Sequence, residues 1–236
     1  MPENRDTDQT DPAEPADAGH PVDWRAAVPV SLPFDDPFFS LEDGLAETRH
    51  VFLQGNGLPE RFRDGFHIAE LGFGTGLNLL TALHAWRAAG APGALRFTTF
   101  EAYPLAPEAM IRAQEAFPAL ADVAEDLRPF WREGARRITR PDLDFTLIEG
   151  DARDTLPAWD GRADAWFLDG FAPARNPQLW GEALMAQVAA HMAPGGTAAT
   201  YSAAGHVRRA LAAAGLEVAR VPGYGRKRHM TVARKP

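Results

Sequence analysis

The chain lacks cysteine altogether, which excludes disulfides and thiolate metal sites and makes a cytoplasmic location the expectation. It also lacks any apolar run of membrane-spanning length, so no membrane partner is expected. Its N-terminus is polar and acidic, without the basic and then apolar regions of a secretory signal. The seven histidines are scattered with no spaced ligand pair, and no metal is expected from them. What remains is a chain of 236 residues, 45% of them hydrophobic, long enough to bury the core of one α/β domain with an extension.

Charge is unevenly spread along it. Residues 1–28 hold seven acidic and two basic side chains, and residues 205–236 hold eight basic and one acidic, within a formal net charge of -8. Such asymmetry fits a basic face able to meet phosphates; it fits a set of solvated surface arginines equally well. Residues 1–28 have almost no apolar content and are expected to form a disordered acidic tail without chemistry. Residues 29–65 are expected to form a small β-rich extension, with a turn at Asp43-Gly44, a strand from Thr48 to Leu53 and another turn at Gly55-Asn56-Gly57. Glu47, Thr48 and Arg49 there read as surface pairs or as part of a pocket wall.

The stretch that organises the rest is Phe66 to Leu80. His67 to Leu71 reads as a buried strand, Gly72, Gly74 and Gly76 alternate, and Leu77, Leu79, Leu80 and Leu83 recur at helical spacing. A turn this rich in glycine lets backbone N–H groups and the positive end of a helix approach a ligand. The dinucleotide fingerprint has its third glycine one place later, where this chain has Leu77. The pattern Glu70-x-Gly72-x-Gly74-x-Gly76 resembles instead the first motif of the S-adenosylmethionine (SAM) methyltransferases.

Further along, Leu95 to Phe100 is a second strand ending in Glu101. An acidic residue about 20 to 25 positions past a glycine turn can accept both ribose hydroxyls of a nucleotide. A helical stretch from Pro107 to Phe117 and a polar, Trp- and Arg-containing connection lead to the strand Leu143 to Ile148 and then Asp151, which by resemblance to SAM enzymes would contact adenine and could equally cap the next helix. The strand Ala163 to Leu168 runs into Asp169-Gly170-Phe171-Ala172-Pro173. A helix at 178–192, a strand at 197–202, a helix at 206–214 and two final strands complete the chain. This alternation predicts an α/β fold over residues 66–236, with a mainly parallel seven-stranded sheet covered by helices on both faces. The resemblance of the glycine motif implies that it is a Rossmann-like SAM-dependent (class I) methyltransferase fold. Gly72, Glu101, Asp151 and Asp169 would all fall at the carboxyl ends of its strands, where ligands bind.

Five blocks carry a closer resemblance: Asp43-Gly44-Leu45 through Gly55-Asn56; Glu70 through Asn78; Trp166-Phe167-Leu168-Asp169-Gly170-Phe171-Ala172-Pro173; Thr200-Tyr201 through Arg208-Arg209; and Gly223 through Arg228. In that order the chain resembles the tRNA methyltransferases of the MnmC and MnmD family, which make 5-methylaminomethyluridine and its 2-thio form at the wobble position. The resemblance implies SAM as cofactor, with Glu70, Gly72, Phe73, Gly74, Gly76 and Asn78 around its methionine and ribose parts. Glu101 and Asp151 would take the ribose and adenine, and Asp169 would sit beside the methyl group. It also implies a tRNA anticodon loop as partner.

In bifunctional members a flavin-dependent oxidase domain follows and supplies the aminomethyl substrate. This sequence shows no second glycine fingerprint, so no FAD is expected in this chain and the oxidase is expected to be separate or fused beyond it.

The implied chemistry has one difficulty. An alkyl amine has a pKa of about 10.4, so at neutral pH it is protonated and has no lone pair with which to attack. Asp169 is the candidate to orient the amine and take up its proton, and Phe171 the candidate to stack on the uracil. Arg175, Arg208, Arg209, Arg226, Lys227 and Arg228 are the candidate phosphate contacts. Methylation of a small molecule or protein, and a non-catalytic SAM- or RNA-binding module, are the other readings.

Overall fold

A computed structural model describes residues 19–236. The expected acidic tail therefore lies outside the described residues up to residue 18. Beyond that point the expectation is corrected: β1 (Val22–Arg25), β2 (Val28–Ser31) and the short β3 (Asp36–Pro37) form an antiparallel three-stranded sheet. Long-range contacts hold this polar segment in place. The His20 N–H donates to the Pro104 carbonyl at 2.9 Å, and the Arg112 guanidinium lies 3.8 Å from the Trp24 ring centroid.

The extension is also less β-rich than expected. Where a strand was expected, α1 (Gly44–Thr48) runs into a π-helical turn at Arg49–Leu53 and a 3-10 turn at Gln54–Asn56. Asp43 caps α1 by accepting the Ala46 N–H at 2.9 Å. Val51, Phe52 and Leu53 are all buried, and a strand would have turned the middle one away from the core. Arg61 fastens the segment to the main sheet, donating to Asn56 O and Thr197 Oγ1 at 2.8 and 2.6 Å.

The remainder is α/β, as expected, with β4 (His67–Leu71), α2 (Leu77–Ala88), β5 (Leu95–Glu101), α3 (Pro107–Gln114), α4 (Ala121–Arg132), β6 (Arg137–Arg140), β7 (Leu143–Glu149), α5 (Ala152–Thr155), β8 (Ala163–Leu168), α6 (Glu182–Ala190), β9 (Met192–Thr200), α7 (Gly205–Ala213), β10 (Glu217–Pro222) and β11 (His229–Arg234). The sheet has eight strands, not seven, in the order β10-β11-β9-β8-β4-β5-β7-β6. The extra strand, β6, pairs antiparallel with β7 at the edge. It comes from the connection before Arg140, where α4 was also missed. That helix buries Val123, Leu127 and Trp131 at helical spacing on one face, between charged residues.

Strands β9, β8, β4, β5 and β7 are parallel. The chain moves outward in one direction through β4, β5 and β7, and in the other through β8 and β9. The reversal falls between β4 and β8, and a ligand crevice is expected at the carboxyl ends of these two strands.

Candidate active site

A cavity of about 610 Å3 opens there, lined by residues from both the main sheet and the N-terminal segment. Its size is that of a cofactor pocket. The turn after β4 forms its floor. Gly72, Gly74 and Gly76 have φ of 78°, 53° and 74°, conformations that side-chain-bearing residues rarely adopt. At Gly72 there is a second constraint, because a Cβ would stand 3.0 Å from the Gly170 Cα. Glycine at 72 thus lets the tips of β4 and β8 meet, while its own N–H donates to the Phe100 carbonyl of β5 at 2.9 Å.

Four carboxyl groups gather at the strand tips, in different surroundings. Glu101 ends β5, and its oxygens accept the Gly74 N–H at 3.0 Å and the Tyr103 N–H at 2.8 Å. Burial pushes its pKa up. Asp151 lines the cavity and also caps α5, accepting the Arg153 N–H at 2.8 Å. The Arg153 side chain pairs with it and holds its pKa down. Capping and cavity lining therefore coexist at Asp151.

Glu70 departs from its expected place. It is fully buried, does not line the cavity, and accepts from Asn78 Nδ2 at 2.8 Å and Thr99 Oγ1 at 2.7 Å. Burial pushes its pKa well above the usual carboxylate range. Its partner Asn78 does line the cavity, and the same Nδ2 donates to Asp169 Oδ2 at 2.8 Å. Glu70 is thus an inner brace that aims Asn78 at Asp169. Gly76 is likewise set back from the cavity, at the N-terminus of α2. Phe73 lines the cavity, but its ring turns into the core, 5.4 Å from Phe145 and 5.9 Å from Trp131.

Asp169 follows β8 and faces the cavity. Its Oδ1 accepts the Gly170 N–H at 2.8 Å. Burial raises its pKa to about 6, with Gly170, Asn78 and Lys227 pulling it down and Glu47 pushing it up. At neutral pH this carboxylate is ionised yet more basic than an exposed aspartate. Tyr201 braces the loop, its hydroxyl donating to Gly170 O at 2.7 Å.

The outer wall includes Glu47 and Thr48, which the sequence offered as a pocket wall, but not Arg49, and its aromatic part comes from residues without a sequence expectation. Phe34 stacks on Phe171 with ring centroids 4.5 Å apart, and His20 and Phe38 pack on the same ring. Asp36 Oδ2 accepts the Ala172 N–H at 2.8 Å. No local motif marks these residues. The only signal was compositional: Phe34, Phe38 and Phe39 are crowded into a stretch otherwise rich in Pro and Asp.

The expected phosphate contacts divide into two groups. Three meet N-terminal carboxylates across the mouth of the cavity: Arg175 with Asp35 at 3.0 Å, Arg226 with Glu42 at 2.7 Å, and Lys227 with Glu47 at 2.7 Å. Arg208, Arg209 and Arg228 form no ion pair among the described residues, and Arg209 and Arg228 are exposed.

This sheet order, glycine turn and row of strand-tip carboxylates define a SAM-dependent methyltransferase. A sequence profile of an S-adenosyl-L-methionine-dependent methyltransferase family matches residues 118–236. The tRNA 5-methylaminomethyl-2-thiouridine biosynthesis bifunctional protein MnmC of Caulobacter vibrioides is 46% identical over 228 residues, covering 93% of this chain and 39% of that protein. Its counterpart of the same name in Hahella chejuensis is 46% identical over 216 residues, covering 87% and 34%. The crystal structure of MNMC2 from Aquifex aeolicus superposes with a TM-score of 0.72 at 25% identity, covering 94% of this chain and 73% of that one. This chain belongs to the MnmC family of SAM-dependent methyltransferases, and spans between a third and two fifths of the length of the curated relatives it matches.

The residues present fit that cofactor. Gly72 and Gly74, which bring backbone to the cavity without side chains, the Glu101 carboxylate at the tip of β5 and the Asp151 and Ala152 rim all face one cavity. No helix of the described residues is long and apolar enough to cross a membrane.

Proposed function

We propose that this chain transfers a methyl group from SAM to the amine of 5-aminomethyl-(2-thio)uridine at the tRNA wobble position, giving the 5-methylaminomethyl nucleoside. The observation that carries the reading is Asp169: an ionised carboxylate of raised basicity, held by Asn78 and Gly170 where the cavity meets the β4–β8 reversal.

SAM supplies, when bound, an electrophilic methyl group on a sulfonium sulfur. Glu101 would hold the ribose, Asp151 and the neighbouring rim the adenine, and the backbone at Gly72 and Gly74 the methionine side. Asp169 accepts a hydrogen bond from the amine nitrogen, directs its lone pair into the cavity and takes up its proton. The amine starts at a pKa of about 10.4 and Asp169 stands at about 6. About four units, on the order of 6 kcal/mol, therefore remain to be supplied by desolvation and neighbouring charge. Phe171, held flat by Phe34, offers a face on which the uracil can stack. Arg208, Arg209 and Arg228 contact the anticodon-loop phosphates. A flavin-dependent oxidase, separate or fused, supplies the aminomethyl group.

The test is transfer of label from SAM to tRNA carrying 5-aminomethyluridine, beside the same tRNA lacking that group. Label confined to the first, recovered as the 5-methylaminomethyl nucleoside, is the expected result. Label in both tRNAs, or in a small amine without RNA, refutes the reading.

A further inference from the structure

Lys227 was expected on the RNA-facing surface, yet its ammonium lies inside the mouth of the cavity. Its Nζ is 2.7 Å from Glu47 Oε1 and 4.2 Å from the Tyr201 ring centroid. Both partners are held in turn. The Glu47 side chain is only 13% exposed, and the Tyr201 hydroxyl donates to Gly170 O, one residue from Asp169. A carboxylate and an aromatic face together make a fixed seat for a cation. Lys227, Tyr201, Glu47 and Asp169 all line the same cavity.

We propose that Lys227 tunes Asp169 at the methyl-acceptor end of this cavity, its fixed ammonium keeping that carboxylate ionised and ready to take the proton of the substrate amine. The inference rests on the reading that the acceptor is an alkyl amine.

The physical argument is opposite-charge attraction: a cation held in a fixed seat beside the same cavity favours the ionised form of the Asp169 carboxyl. Lys227 touches Glu47 from α1 and the Tyr201 ring after β9, and shares the cavity lining with Asp169 after β8, Asp36 from β3, Glu42, Tyr224 and Arg226. Glu47 opposes the effect at Asp169, but Lys227 is the stronger influence there. Lys227 acts through the field it imposes on Asp169, so it is a positioning residue and not a proton carrier.

The experiment is the pH profile of kcat for wild type, K227M and K227R on aminomethylated tRNA, with NMR titration of the Asp169 side-chain carboxyl carbon in the same three proteins. In K227M the acid limb is expected to move to higher pH by on the order of one unit, with about a ten-fold loss of kcat on the low-pH side that recovers as pH rises. Asp169 is expected to titrate higher in K227M, and K227R is expected to retain the wild-type limb. An unmoved limb with only KM or salt dependence changed would make Lys227 a phosphate contact and overturn the proposal. If wild type proves inactive on this tRNA, the proposed substrate fails, and the Asp169 titration still decides the residue: an unchanged midpoint in K227M overturns the inference. The Lys227 side chain is 46% exposed, a setting in which substitution is well tolerated by the fold.

Discussion

The two walls of the cavity differ in origin and in construction. The inner wall is the row of β-strand tips carrying Gly72, Glu101, Asp151 and Asp169, each fixed by short bonds to backbone or buried neighbours. The outer wall is drawn from residues 34–47 and joined to the rest by ring stacking and by ion pairs at the rim. The two exposed pairs, Arg175–Asp35 and Arg226–Glu42, contribute little stability, about 0–1 kcal/mol each. The contrast assigns chemistry to the rigid wall, and access and charge to the adjustable one. The outer wall also takes up part of the C-terminal basic excess, since Arg226 and Lys227 are two of the eight cations of residues 205–236. Acidic residues at 35, 42 and 47 meet cations at 175, 226 and 227, so part of the apparent basic face closes onto the chain's own acidic side.

The sharpest test of the division is Asp169→Ala beside Asp36→Ala. Losing a positioned proton acceptor costs about 10^2 to 10^4 in rate, so Asp169→Ala should lose about a thousand-fold in kcat while SAM affinity, measured by calorimetry, stays near wild type. Asp36→Ala leaves one Ala172 N–H without its partner and should cost less than ten-fold. Comparable losses in the two variants would erase the distinction between the walls. The same carboxylate fixes the acid side of the wild-type profile. Asp169 must be ionised to accept a proton, its pKa is raised to about 6, and kcat should fall as pH drops through that value.

Glu70 tests whether the inner wall is braced from behind. Glu70→Ala would leave Asn78 and Thr99 without their acceptor and open a hole in a fully buried site. A loss of about 2–4 kcal/mol in unfolding free energy is expected. Glu70→Gln keeps the shape and a hydrogen-bonding oxygen and should be nearly neutral. The pH dependence separates them further. Because burial raises the Glu70 pKa in the folded state, the protonated form is favoured there. Its contribution is full below the unfolded carboxyl's pKa of about 4.3 and is lost as pH rises through the folded value. Glu70→Gln should remove that alkaline decline in melting temperature.

The walls also differ in how far they could be read beforehand. Gly72, Gly74 and Gly76, with Glu101 and Asp169 at strand ends, carry local signals: a turn needs glycine, and a parallel strand ends where its apolar run ends. Those signals sufficed for the fold class and for most of the inner wall. Glu70 was misplaced because the motif gives its position along the chain but not which way a strand residue points. Strand β1 and the helical turns of residues 44–56 were missed because their geometry is imposed by contacts distant in sequence, such as His20 with Pro104 and Arg61 with Thr197. Lys227 and Arg226 read as free cations because nothing local announces a partner some 180 residues earlier.

A smaller effect probes the outer wall's hold on the substrate. Phe34 keeps Phe171 flat by stacking at 4.5 Å, an interaction worth about 0.5–1.5 kcal/mol. Phe34→Ala should therefore raise KM for tRNA by up to about ten-fold and change kcat much less. If kcat falls and KM stays put, Phe34 serves the chemistry and the outer wall is not merely a gate.

The smallest effect expected for a single substitution lies outside both walls. Arg209 and Arg228 are exposed, on α7 and on the β10–β11 loop, and a contact to a single-stranded phosphate adds about 0.7 to the slope of log K against log salt. Arg209→Ala and Arg228→Ala should each lower the measured slope for tRNA binding by about that amount, with SAM binding and kcat at saturating tRNA unchanged. Arg175→Ala and Arg226→Ala should lower it less, because their charges are already partly balanced by Asp35 and Glu42. Equal slopes for all four variants would mean that the rim ion pairs open when tRNA binds, and the outer wall would then belong to the RNA interface as well as to the cavity.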